Sequence, residues 1–129
     1  MHAPDTSARA DGQLALAIAT MTVQVLREHT GRGPTRSRAY LNDDLISVVL
    51  QGTLTRPERA LVADGKSDLV LSNRRAFQGI MRTDLIAGIE KLTGRKVIAF
   101  LSDNSMDPDV KIKSFLLAPQ DATKVAEPA

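Results

Sequence analysis

The chain has 129 residues, 43% of them hydrophobic, enough for one domain with a core, and with no Trp, one Tyr and three Phe that core must be aliphatic. The absence of cysteine excludes disulfides, thiolate metal sites and a cysteine nucleophile together, and suits a reducing, cytoplasmic setting. A formal charge of +2, from 17 basic and 15 acidic side chains intermixed along the chain, does not single out an anionic macromolecule as partner.

Residues 1–11 are rich in Ala, Pro, Asp and Ser without apolar periodicity and are expected to form a disordered tail. The stretch 119–129 is expected to do the same, leaving a single domain over 12–118. Asp11 is the expected cap of a first helix running to His29 or Thr30. Leu14, Ile18, Met21 and Val25 recur at helical spacing, and Leu16, Val23 and Leu26 add apolar positions off that stripe. Such a helix buries two faces or shares one with a partner. Its apolar run from Leu14 to Leu26, interrupted by Thr20, Thr22 and Gln24, falls short of the roughly 20 residues a bilayer span needs. Asp5 and Asp11 ahead of it do not fit a signal peptide, so neither a leader nor a transmembrane segment is expected.

Gly31 is placed to end the first helix. Arg36 to Asn42 and Asp44 to Gln51 read as strands joined by the turn Asn42-Asp43-Asp44, and the unbroken apolar run of the second predicts a central position. Thr55, with Pro57 just inside and Glu58 at the third helical position, predicts a capped short helix. A long helix starts between Lys66 and Asn73, carries the stripe Phe77, Met81, Leu85, Ile89 and Leu92, and ends at Gly94. Lys96 to Ser102 and Val110 to Leu117 read as the last strands.

Two halves of the chain look alike. Thr30-Gly31-Arg32 is matched by Thr93-Gly94-Arg95, and Ala39-Tyr40-Leu41-Asn42-Asp43 by Ala99-Phe100-Leu101-Ser102-Asp103. The match reads either as an αββ duplication or as convergence on a common helix cap. Both readings predict an α+β fold: a two-layer αββ-(α)-αββ sandwich, with a four-stranded, mainly antiparallel sheet and two long helices on one face. The second sheet face, or part of the first helix, then lacks cover, which predicts a homodimer.

Candidate binding residues are few. Arg32, Gly33, Arg36 and Arg38 form an Arg-rich loop whose forked donors suit phosphate or carboxylate. Against an anion site stands its position after a helix C-terminus, where the macrodipole is negative, and it lacks the P-loop pattern. Arg74, Gln78 and Arg82 share one helix face and form a candidate partner-contact strip, the alternative being a solvated face. The run from Asp103 to Asp109 spaces oxygen ligands as a calcium loop does, but Pro108 replaces the sixth-position glycine and Ser114 the closing glutamate, so it reads as a polar hairpin loop and no metal is expected. His2 and His29 have no Ser or Asp at a motif spacing, so no catalytic residue is expected. Arg32, Arg36, Arg38, Lys111 and Lys113 could serve RNA or DNA, yet the stacking aromatics that single-strand binding needs are nearly absent.

Gly31-Arg32-Gly33-Pro34, the extended run into Asn42-Asp43-Asp44, Gly52-x-Leu54-Thr55 with Glu58 and Leu61, and the later Thr93-Gly94-x-x-Val97 with Ser102-Asp103 together resemble the MpsC-type domain over residues 11–118. The resemblance implies the soluble member of a sodium-linked, membrane-potential-generating system, connected in related bacteria with bicarbonate or cation uptake. It supplies no catalytic residues, and the segment Asn104–Asp109 departs from the family pattern by a longer loop. The expectation is a non-enzymatic, cofactor-free accessory subunit, cytoplasmic or peripheral at the inner membrane face, that binds membrane transport subunits. A small-anion or nucleotide sensor using the Arg-rich loop is the alternative, and a nucleic-acid-binding module the second.

Overall fold

The apolar periodicities resolve into seven elements across residues 4–120, the part that the computed structural model describes. In chain order they are α1 (Pro4–Thr30), β1 (Arg36–Asn42), β2 (Leu45–Gln51), α2 (Arg56–Ala63), α3 (Ser67–Thr93), β3 (Val97–Ser105) and β4 (Val110–Leu117). The strands form one antiparallel sheet in the order β1-β2-β4-β3. One sheet face carries α1 and α3, which pack against each other and against the sheet, as expected of the αββ-(α)-αββ sandwich.

Two boundaries differ from the sequence reading. The first helix begins at Pro4 rather than at Asp11, so residues 4–11 belong to it and not to a tail. A proline at a helix start forfeits no hydrogen bond, because the first N–H groups have no intrahelical acceptor, and Ala8 and Ala10 favour the helix. The remainder of the expected tails, residues 1–3 and 121–129, lies outside the described residues. Strand β3 runs three residues past Ser102, pairing Asp103, Asn104 and Ser105 with Ile112, Lys111 and Val110.

Side chains alternate across the sheet. Toward the helices point Ala39 and Leu41 of β1, Ile46, Val48 and Leu50 of β2, and Phe115 and Leu117 of β4. They meet Ile18, Val25 and Leu26 of α1 and Met81, Leu85 and Ile89 of α3. Both apolar stripes of α1 are thus largely used inside the chain, and only Leu16 stays clearly outside, at 68% exposure.

The internal repeat is real in one part and misleading in another. Gly31 and Gly94 take left-handed φ values of 79° and 68°. Thr30 Oγ1 donates to the Leu26 carbonyl and Thr93 Oγ1 to that of Ile89, at 2.7 and 2.8 Å. Arg32 reaches the carbonyl of Gly52, the residue after β2, and Arg95 that of Ala118, the residue after β4. The two Thr-Gly-Arg segments are therefore one device used twice, and exchanging the units leaves the strand order unchanged. The strand match fails. Ala39 and Leu41 face the core, whereas Ala99 pairs with outward Leu116 and Leu101 is 71% exposed. An irregularity between Val97 and Ala99 shifts the register, and a one-residue slip sends every side chain to the other face.

Gly52 holds the passage from β2 to α2. Its φ is +68°, and an added Cβ would lie 2.1 Å from Thr35 Oγ1, whose hydroxyl bonds the Gln51 carbonyl. Gly65 has a similar φ of +75° with open space around it. Gly52→Ala is expected to cost about 2–4 kcal/mol and Gly65→Ala about 1 kcal/mol in urea unfolding, since only the first adds a clash to the backbone strain.

Candidate functional site

Strand β4 is central, so both of its edges are hydrogen-bonded, and its sequence alternates Val110-Lys111-Ile112-Lys113. The phase of that alternation puts the lysines inside. Phe115 and Leu117 face the helices, which obliges Lys111 and Lys113, four and two residues before Phe115, to do so too. Lys113 is fully buried and Lys111 is 6% exposed. Ile112 and Leu116 are left outward at 44% and 41% exposure.

Each lysine has different company. Lys113 Nζ donates to Gln78 Oε1 of α3 at 2.5 Å and, weakly, to Ser102 Oγ at 3.4 Å. It also lies 5.8 Å from the centroid of Phe100, which stacks on Phe115. Desolvation pushes its pKa down to about 7, and the positive charges of Lys111 and Arg74 add to the effect. Lys111 has no hydrogen-bond or ion-pair partner among the described residues. Desolvation lowers its pKa to about 8, with Arg74 acting in the same sense and Glu58 and Asp109 opposing.

Arg74 organises the surroundings. Its Nε and Nη2 donate to the two carboxylate oxygens of Glu58 at 2.9 and 2.8 Å. Nη2 also bonds the Thr53 carbonyl, and Nη1 bonds Thr53 Oγ1 and Asn104 Oδ1, each at 2.9 Å. Glu58 closes the capping box of α2 by accepting from Thr55 N–H. Burial by itself would raise its pKa, but the Arg74 and Thr55 hydrogen bonds outweigh that and hold the carboxyl below its ordinary value. Asp109 accepts from Thr53 N–H, Thr53 Oγ1 and Leu54 N–H at 2.9–3.0 Å. This network fastens α2, α3, the end of β3 and the turn before β4 together.

Beside it opens a pocket of about 400 Å³, bounded by the end of α1 with its following segment, α2 and α3. Leu26, Pro34, Leu61, Phe77 and Met81 make its apolar wall, and Thr53, Thr55, Glu58, Asn73, Arg74 and Lys111 its polar one. His29, also on the wall, lies 2.9 Å from Asp84 Oδ2.

The candidate residues read from sequence separate. Arg32 and Gly33 line the pocket, with Arg32 Nη2 donating to the Gly52 carbonyl. Arg36 and Arg38 sit on the opposite sheet face in a shallow depression with Tyr40, Val49 and Gln51, and the Arg38 guanidinium lies 5.0 Å over the Tyr40 ring. Arg74 and Gln78 are engaged inside the chain, while Arg82 lies 5.7 Å from the Phe100 centroid. Sequence reasoning missed the roles of Glu58, Asp109, Lys111 and Lys113 here. The available signal was the phase of Phe115 and Leu117.

Fold and site together define a small α+β module with a sheltered cationic pocket. Residues 10–119 match the family model described as the Na+-translocating membrane potential-generating system (MpsC), and the chain belongs to that family. The family's description connects it with sodium-linked generation of membrane potential. Nothing matches among curated proteins or solved structures. No helix among the described residues is long and apolar enough to cross a membrane.

Two measurements bear on this chemistry. Lys113 binds its proton less tightly folded than unfolded, so between about pH 7 and the ordinary lysine value of 10.5 the unfolded chain holds more protons and stability rises with pH. Lys113→Met is expected to raise stability at pH 6 by about 1–3 kcal/mol and to flatten that rise in urea unfolding. Arg74→Met, which strands partly exposed Glu58 and removes the arginine's bonds to Thr53 and Asn104, is expected to cost about 1–3 kcal/mol in the same assay.

Proposed function

We propose that this chain is a non-enzymatic accessory subunit of a sodium-linked membrane system, acting by protein–protein contact and working as a homodimer. Family membership supplies the system. The observation that carries protein binding is the sheet face turned away from the helices. Leu45, Val49, Ile112, Leu116, Leu101 and Tyr40 share it, and Leu101 and Tyr40 are 71% and 48% exposed. A contiguous apolar surface of this kind marks an interface.

Charge placement favours a second copy as its occupant. One outward row reads Arg38, Val49, Ile112, Asp103 from the β1 edge to the β3 edge. Two sheets stacked face to face about a two-fold axis parallel to the strands lay β1 over the partner's β3. Arg38 then meets the partner's Asp103, twice per dimer, while Val49 and Ile112 fill the middle of the row and the Ser47–Ser114 pair lies in the next. A two-fold across the strands at this row would stack arginine on arginine.

Light scattering after gel filtration tests the reading. The chain is expected to run as a dimer and Leu101→Lys as a monomer. Arg38→Glu and Asp103→Arg are each expected to weaken the dimer about tenfold or more, and their combination to restore it. A monomeric wild-type chain at high micromolar concentration would overturn the dimer. Failure of the tagged chain to retain any membrane subunit from gently solubilised membranes would count against the accessory role. A second reading, a sensor of small anions, draws on the pocket.

A further inference from the structure

The strongest unexplained feature of the molecule is Lys111. It is more than nine-tenths buried, it has no acceptor among the described residues, and it forms part of the wall of a pocket of about 400 Å³. Its ammonium is not sealed from water, and the acceptor that it lacks within the chain is one that the pocket has room to hold. The neighbouring side chains do not supply it. Glu58 is committed to Arg74 and Thr55, and Asp109 to the Thr53 and Leu54 amides.

Charge counting says what is missing. The cluster sets three cations, Arg74, Lys111 and Lys113, against two carboxylates, Glu58 and Asp109. The excess is one positive charge while Lys113 keeps its proton, and it closes as Lys113 loses it near pH 7. Arg32, on the same pocket wall, adds to the positive sign. The pocket is also mostly apolar, with Leu26, Leu61, Phe77 and Met81 facing a volume typical of small-molecule sites. Inorganic phosphate, which has no apolar body, would leave the apolar wall uncovered.

We propose that this pocket binds a small organic monocarboxylate with a compact apolar body, the carboxylate pairing with Lys111 and the body lying against Leu61, Phe77 and Met81. The site goes beyond the accessory role and does not depend on it, since it lies on the helix side of the sheet, away from the outward face. The ligand's charge is recognised by the buried ammonium and its shape by the apolar wall, so both halves of the molecule are required.

Titration of the full chain with benzoate, hexanoate, benzyl alcohol and inorganic phosphate, followed by amide NMR and calorimetry, tests this. At least one of the two carboxylates is expected to saturate below millimolar concentration, shifting amides in 32–34, 53–61 and 73–81. Benzyl alcohol and phosphate are expected to bind more weakly by about tenfold or more, since each lacks one half of the recognised structure. Lys111→Met keeps the volume, removes a buried charge and should fold at least as well. It is expected to lose carboxylate affinity by about tenfold or more while leaving benzyl alcohol unchanged. The proposal is overturned if neither carboxylate saturates, if phosphate binds as tightly, if the shifts fall elsewhere, or if folded Lys111→Met binds carboxylate as wild type does.

Discussion

Two lysines on the core face of a central strand set the terms for the structure around them. Aliphatic packing cannot satisfy an ammonium, so the helix side of the sheet divides into two regions. Toward the Asp44 end, Ile46, Phe115 and Leu117 join Ile18, Leu85 and Ile89 in a dry core. Toward the Gln51 end, Lys111 and Lys113 bring Gln78, Ser102, Asn104 and Arg74 into positions that apolar side chains would otherwise hold. Arg74 needs Glu58, and Glu58 is held by the capping box, so the short helix α2 is tied to the same electrostatic requirement. Its eight residues bury no side chain fully, and packing alone would fix it poorly. The Glu58–Arg74 pair, with side chains 18% and 10% exposed, is what attaches it.

The duplicated plan makes that asymmetry visible. Both units share the Thr-Gly-Arg cap, the arginine that reaches past the second strand, and the antiparallel hairpin. The hairpin of the first unit gives the core only apolar residues from β2, namely Ile46, Val48 and Leu50. The corresponding strand of the second unit gives Lys111, Lys113, Phe115 and Leu117. Helix α2 lies between the units and has no counterpart. The polar pocket therefore belongs to what the second half and the intervening helix added to a symmetric scaffold. A scaffold whose first half already supplies an aliphatic sheet layer can carry such a change in its second.

What the sequence made legible follows the same physics. Local signals were read well where one residue type has one use. Thr55-x-x-Glu58 is a capping box in fact, Gly31 and Gly94 are left-handed helix ends, and Val110–Leu117 is a strand with those bounds. Signals failed where two phases compete. Along β4 either set of alternate residues contains apolar members, so Ile112 and Leu116 looked as fit for the core as Phe115 and Leu117. Lysine is seldom fully buried, so nothing in the sequence pointed Lys111 and Lys113 inward. The same ambiguity aligned Leu41 with Leu101, which lie on opposite faces. Arg32, Arg36 and Arg38 looked like one cluster because they are near in sequence. The bend at Thr35 before β1 divides them between pocket and outward face.

Strand β4 also gives the two faces of the sheet a physical link. Lys111 belongs to the pocket wall, and its neighbour Ile112 belongs to the outward apolar face, one peptide unit away on a strand hydrogen-bonded on both sides. An occupant that changes how Lys111 is held acts on the backbone that positions Ile112. Interiors packed at crystal-like density pass such displacements on rather than absorb them. Any coupling between the two faces must be reciprocal, because it is a free energy shared by two binding events. A carboxylate that favours one arrangement of β4 would then tighten or loosen whatever sits on the sheet, and assembly on the sheet would change the affinity of the pocket by the same factor. Placing an unpaired, largely buried lysine on the strand that also builds the outward apolar face puts the charge requirement of the core and that surface on a single element.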